Sequence, residues 1–136
     1  MNPLLLTILL AGGGAQLLKI AVFYAKTRRI HTWDIVATGG MPSSHCALLA
    51  GLTTGIYLSE GPTTPFFVAL ALTSIVVVDV FGVRRTAGEE GLILHRLITK
   101  TKLKIREPHY SLGHTPMEIA AGILFGIIMA FVIATG

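Results

Sequence analysis

The sequence predicts an all-α protein: a polytopic membrane helix bundle of about four transmembrane helices with one basic amphipathic helix at the interface. Three observations carry this. Long apolar segments alternate with polar loops, and apolar residues make up 52% of the chain. Charged residues are only 13%, against about a quarter in soluble domains. The mean hydropathy is +0.71, so most of the outer surface faces lipid.

The first apolar segment covers residues 3–25. That length crosses a hydrocarbon core of about 30 Å at about 1.5 Å per residue. Gly12, Gly13 and Gly14 in its middle allow close helix packing; Gln16 and Lys19 follow. The segment lacks a basic start and outruns a signal peptide's apolar run, so it reads as a retained helix. A polar loop covers residues 26–40. The second segment, 43–58, is short for a span. Either it starts below the interface or the loop Gly39-Gly40-Met41-Pro42 dips into the protein. Non-helical backbone survives at that depth only when buried in protein or lining a wet cavity. A tight connection over 59–65 leads to the third segment, 65–83, and the fourth covers 116–134. In the polar stretch between them, Leu92, Ile93, Leu97 and Ile98 recur at helical spacing, interleaved with Arg96, Lys100, Lys102 and Lys104. This predicts the amphipathic helix on the membrane surface. The 136 residues are read as one membrane-embedded domain, without internal repeats.

The formal charge of +4 does not indicate a nucleic-acid partner. Nucleic-acid binding needs a basic stripe on a soluble face, whereas all Lys and Arg except Lys19 fall in the loops after the first and third segments. The positive-inside rule puts those loops in the cytoplasm and the termini outside, in a cell (inner) membrane protein. The five histidines, His31, His45, His95, His109 and His114, fall on the same face. The single cysteine, Cys46, excludes an internal disulfide.

Three clusters converge on that face. Lys19 lies near the inner end of the first helix, with Lys26, Arg28 and Arg29 beyond it. A lysine there either snorkels to headgroups or binds an anion. The second cluster is Gly39-Gly40-Met41-Pro42-Ser43-Ser44-His45. Its glycines let backbone approach a ligand, and Ser43 or Ser44 is expected to cap the second helix. The free N–H groups of that first turn favour an anion, and His45 is placed to act as a general acid. The third cluster is Gly113-His114-Thr115-Pro116-Met117-Glu118. Thr115 and Glu118 fit a capping box with Pro116 at the first helical position. Glu118 also stands four residues after His114, where it can fix the ring tautomer and leave the other nitrogen to attack. Asp79, inside the third helix, calls for a basic partner, Lys19 or an arginine. Arg84 and Arg85 end that helix as stop-transfer charges or as a phosphate clamp. Two histidines opening helices beside these cations suit phosphoryl transfer.

These residues resemble the type 2 phosphatidic acid phosphatase superfamily, which includes the vanadium-dependent haloperoxidases, and more closely its small divergent membrane branch. The resemblance spans essentially the whole chain. Its most specific parts are Gly39 to His45, Asp79-Val80-Phe81-Gly82-Val83-Arg84-Arg85, and Leu112-Gly113-His114-Thr115-Pro116-Met117-Glu118. The superfamily pattern is KxxxxxxRP, PSGH and SRxxxxxHxxxD. The resemblance implies Lys19 as the first phosphate-binding cation, Ser43 and the Ser44 backbone N–H as phosphate ligands, and His45 as the acid. It implies His114 as the nucleophile and Glu118 in the orienting role of the pattern's aspartate. Three departures stand out: Lys26-Thr27 replaces Arg-Pro, Ser44 replaces glycine, and Pro108 stands where the third motif has arginine, the nearest being Arg106. Arg84 or Arg85 supplies that guanidinium if residues 86–112 are an insertion.

The resemblance implies a metal-independent lipid phosphate phosphatase working through a phosphohistidine, with no cofactor. Its substrate would be phosphatidylglycerol phosphate, phosphatidic acid or a polyprenyl phosphate. A homodimer would cover the bundle side left open by two missing N-terminal helices. Two other readings compete. One is a catalytically degenerate lipid-phosphate-binding scaffold or carrier. The other is a metal-dependent membrane hydrolase using His45, Asp79, His114 and Glu118 as ligands.

Overall fold

The computed structural model describes residues 2–28, 40–101, 105 and 113–136. Arg29, His31, Gly39, Lys102, Lys104, Arg106, Pro108, His109 and Leu112 lie outside the described residues.

All regular structure among the described residues is helical. α1 (Pro3–Thr27) starts where the Asn2 side chain accepts the Leu4 N–H at 2.8 Å, with proline at the first helical position. This relieves one of the orphan donors of a helix start. Left-handed Arg28 closes it, its N–H returning to the Tyr24 carbonyl. α2 (Ser44–Glu60) ends at Gly61, whose positive φ of 73° suits glycine. α3 (Thr64–Phe81) begins behind Thr63, with proline in its first turn. α4 (Val83–Thr101) follows with only Gly82 between them, and α5 (Pro116–Thr135) opens on a full Thr115–Glu118 capping box.

α1, α5 and the α3–α4 pair are long and apolar enough to cross a membrane. Their outer faces carry exposed Leu9, Leu17, Phe67, Ile75, Leu124 and Phe131, a surface stable only against lipid. α2 has 17 residues, about 25 Å at about 1.5 Å per residue, short of a full hydrocarbon core as the sequence predicts. It is nonetheless the centre of the bundle, packed against α1, α3 and α5.

The sequence places Arg84 and Arg85 at the end of the third helix; the structure puts them in the first turn of α4. The helix breaks at Gly82, whose N–H bonds the Val78 carbonyl while its own carbonyl accepts the Thr86 N–H at 3.0 Å. Hydrogen bonding thus passes across the break, and the amphipathic helix starts without a loop.

α2 and α5 approach most closely. A Cβ at Gly122 would strike the Ser43 backbone and one at Gly126 the Ala47 carbonyl. A Cβ at Gly51 of α2 would meet the Ala11 methyl of α1 at 2.8 Å and the Gly126 carbonyl of α5 at 3.3 Å. Apolar side chains gain little from leaving lipid for one another, so contact between small residues is what holds such helices together. Thr53 and Thr73 hydroxyls add a 2.9 Å bond between α2 and α3. Cys46, Val80 and Ile119 form a buried cluster joining α2, α3 and α5, beneath the end where the candidate residues gather.

Candidate functional site

The start of α2, the start of α5, the α3–α4 break and the C-terminal half of α1 meet at one end of the bundle. Lys19 reaches it on the buried stripe of α1 that also carries Ala11 and Ala15, and is 9% exposed. Its stem packs against Gly40: a Cβ there would lie 3.3 Å from the Lys19 Cγ and Cδ. Gly40 also has φ of 90°, so both space and backbone conformation call for glycine.

Ser43 is fully buried. Its N–H donates to the Glu118 carbonyl at 3.1 Å and its carbonyl accepts the Ala47 N–H at 2.9 Å. The first bond fastens the start of α2 to the first turn of α5, and the second opens α2 itself. Ser43 occupies the N-cap position, but its side chain makes no capping bond, contrary to the expectation that Ser43 or Ser44 caps this helix. The close approach of Gly122 holds the Ser43 backbone and Cβ against α5 instead. Its Oγ is buried beside the Cys46 thiol and has no partner of hydrogen-bond geometry among the described residues. Such a group is costly to leave unmatched. Ser44 stands next in the chain, half-buried at the first helical position.

His45, in the same turn, is exposed. The charges of Arg84, His114, Lys19 and Asp79 all act on it, and the Glu118 charge acts on Lys19. The three clusters read from the sequence therefore share one electrostatic environment.

His114 is 3% exposed. Its Nδ1 lies 3.1 Å from Glu118 Oε2. The same oxygen accepts the Thr115 N–H at 3.0 Å, and Thr115 Oγ1 accepts the Glu118 N–H at 3.4 Å. The structural and orienting explanations of Glu118 coexist in one carboxylate.

The arginines reach His114 through Gly113. A Cβ at Gly113 would stand 2.6 Å from the Arg85 nitrogen and 2.8 Å from its Cα. The chain entering His114 thus lies directly on the first turn of α4. Arg84 Nε bonds Asp79 Oδ2 at 2.6 Å, so the basic partner the sequence calls for is supplied by an arginine. Arg85 Nε bonds Glu89 at 3.2 Å along the exposed side of α4.

Among the described residues no three His, Cys, Asp or Glu side chains come together as metal ligands. Asp79 and Glu118, two of the ligands considered from sequence, are engaged with Arg84 and His114. Sequence reasoning placed Gly113 in the third cluster without giving it a role, and passed over Gly122 and Gly126. Their signals were a glycine directly before a candidate histidine and a small-xxx-small repeat in an apolar helix.

The sequence profile described as the Divergent PAP2 family matches residues 1–129. YuiD, an uncharacterized membrane protein of Bacillus subtilis (strain 168), is 32% identical over 136 aligned positions, covering 88% of this chain and 86% of its own. No solved structure matches.

Proposed function

The chain belongs to the Divergent PAP2 family, and from that premise we propose that it is a membrane lipid phosphate phosphatase working through a phosphohistidine. The observation that carries this reading is the buried His114 held at Nδ1 by Glu118. With Nδ1 protonated and bonded to the carboxylate, Nε2 keeps its lone pair.

In the first step Nε2 of His114 attacks phosphorus. The bond to the lipid alcohol breaks, and protonated His45 gives its proton to the leaving oxygen. In the second step His45 takes a proton from water, whose oxygen attacks phosphorus. The P–N bond breaks and inorganic phosphate leaves. Lys19, the Ser43 hydroxyl, the Ser44 N–H and an arginine from Arg84-Arg85 neutralise the phosphate oxygens. The first-turn N–H groups of α2 face the same way. No metal takes part.

The substrate is a phosphomonoester lipid such as phosphatidic acid, phosphatidylglycerol phosphate or a polyprenyl phosphate. The charge rule puts the site on the cytoplasmic leaflet, where the basic residues of α4 gather anionic lipid. A homodimer would cover the open side of the bundle.

The test is phosphate release from vesicles carrying each lipid phosphate, with chelator present, for native protein and His114→Ala. Release by the native protein that disappears in the variant is expected. Headgroup binding without release from either folded protein would replace this reading by the lipid-phosphate-binding scaffold or carrier.

A further inference from the structure

The superfamily pattern takes its third-motif guanidinium from the segment just before the nucleophilic histidine, where this chain has Pro108. Two arginines stand near His114, and they are not equivalent. Arg85 is bonded to Glu89, with both side chains about half exposed. Arg84 is the arginine whose charge acts on His45. Both arginines are bonded through Nε, and the partner is what separates them: Arg85 holds Glu89 of its own helix at 3.2 Å, whereas Arg84 holds Asp79 of α3 at 2.6 Å, with Arg84 41% and Asp79 35% exposed. A guanidinium bound through Nε keeps the paired donors that match two oxygens of a phosphate.

The placement of Asp79 is equally specific. It lies on the last turn of α3, across the Gly82 break from Arg84 on the first turn of α4. Val80 beside it is fully buried against Cys46 and Ile119, so the carboxylate sits on an anchored turn. An arginine side chain has many rotamers and loses freedom when it is fixed. The Asp79 bond restrains it before substrate arrives.

We propose that Asp79 is a positioning residue: its bond across the α3–α4 break holds Arg84, rather than Arg85, as the guanidinium that receives the phosphate. This rests on the phosphate-site reading above, but requires only that the site bind a phosphomonoester, not that it turn one over. Asp79 touches no substrate. Its negative charge also restrains the affinity of the site for anions, so its removal has two opposing effects. Neutralising the charge favours the anion, while freeing Arg84 disfavours it. The second effect is expected to dominate, because Asp79 bonds Arg84 directly.

The experiment measures binding of phosphatidic acid in phosphatidylcholine nanodiscs to full-length protein carrying His114→Ala, which prevents turnover. On that background Asp79→Asn and Arg84→Gln are each expected to weaken binding about tenfold, and the two together no more than either alone. Arg85→Gln is expected to change it less than about twofold. Thermal midpoints are recorded for each variant. A purely structural ion pair would lower the midpoint and leave the affinity of the folded fraction unchanged. That result overturns the proposal, as does additive loss, unchanged or tighter binding in Asp79→Asn, or an equal loss in Arg85→Gln. Asp79→Glu retains the charge and is expected to restore part of the affinity; no recovery in that folded variant also counts against positioning. Because binding is the readout, absent phosphate release overturns the phosphatase reading alone. Absent binding by the His114→Ala background, folded and at any lipid content, overturns both.

Discussion

Glu118 Oε2 lies 3.1 Å from His114 Nδ1 while accepting the Thr115 N–H at 3.0 Å. One oxygen thus closes the start of α5 and orients the imidazole above it. A charged acceptor at Nδ1 selects the tautomer with its proton there, and in the proposed reaction it would stabilise positive charge on the ring as Nε2 attacks. The backbone bond costs nothing extra, since the capping box would require it in any case.

Glu118→Gln separates the two duties. Glutamine still completes a capping box, so the thermal midpoint is expected to stay within a few degrees. Phosphate release is expected to fall about 10²- to 10⁴-fold, because a neutral amide does not balance the charge that develops on the ring. Parallel rate and melting measurements check this. An unchanged rate would leave Glu118 a cap alone.

Gly113→Ala is expected to damage the site without altering any polar side chain. The added methyl would meet the Arg85 nitrogen at 2.6 Å. Backbone cannot rotate aside as a side chain can, so the approach of His114 to α4 must widen. Misplacement by about 1 Å can cost about 10²-fold in rate. Release and lipid-phosphate affinity are both expected to fall, with helix content by circular dichroism preserved.

The glycines of the transmembrane helices divide sharply. Gly126→Ala drives a methyl into the Ala47 carbonyl and the Gly51 nitrogen, whereas a Cβ at Gly13 meets nothing within 4 Å. Overpacking of this kind costs about 1–3 kcal/mol, while alanine at an open helical site is neutral or slightly favourable. Unfolding in mixed micelles is expected to show Gly126→Ala clearly less stable and Gly13→Ala unchanged or more stable.

What could be read from sequence follows the range of the interaction. The His114–Glu118 pair and the Thr115 cap lie within one helical turn, where spacing alone determines geometry. The apolar segments were legible for the same reason, their ends falling within a few residues of α1, α2, α3 and α5. The partner of Asp79 was legible only as a choice among cations, because the Gly82 break that turns Arg84 back toward it is a backbone event. Two charges after an apolar run look like a helix end; here they begin α4. Ser43 was misread as a capping side chain because its environment is set by Gly122, far along the chain on α5. The contact of Gly113 with Arg85 is likewise tertiary, and no local pattern announces it.

The sidedness of the bundle carries the last prediction. The face that gathers Lys19, His45, Arg84 and His114 also receives the start of α4, and the opposite face carries the Gly61–Thr63 turn between α2 and α3. By the excess of Lys and Arg, the first face is expected in the cytoplasm. Cys46 is the single cysteine and is fully buried, so a Cys46→Ala protein is a clean background for labelling. Pro62→Cys, in the exposed turn, is expected to react with a membrane-impermeant maleimide in intact cells. Lys100→Cys, exposed near the end of α4, is expected to react only after the membrane is opened. The reverse pattern would move the site, and any lipid phosphate it binds, to the outer leaflet. Labelling of both residues in intact cells would mean mixed insertion. A basic excess of this size normally prevents that, since translocating each of these charges is costly.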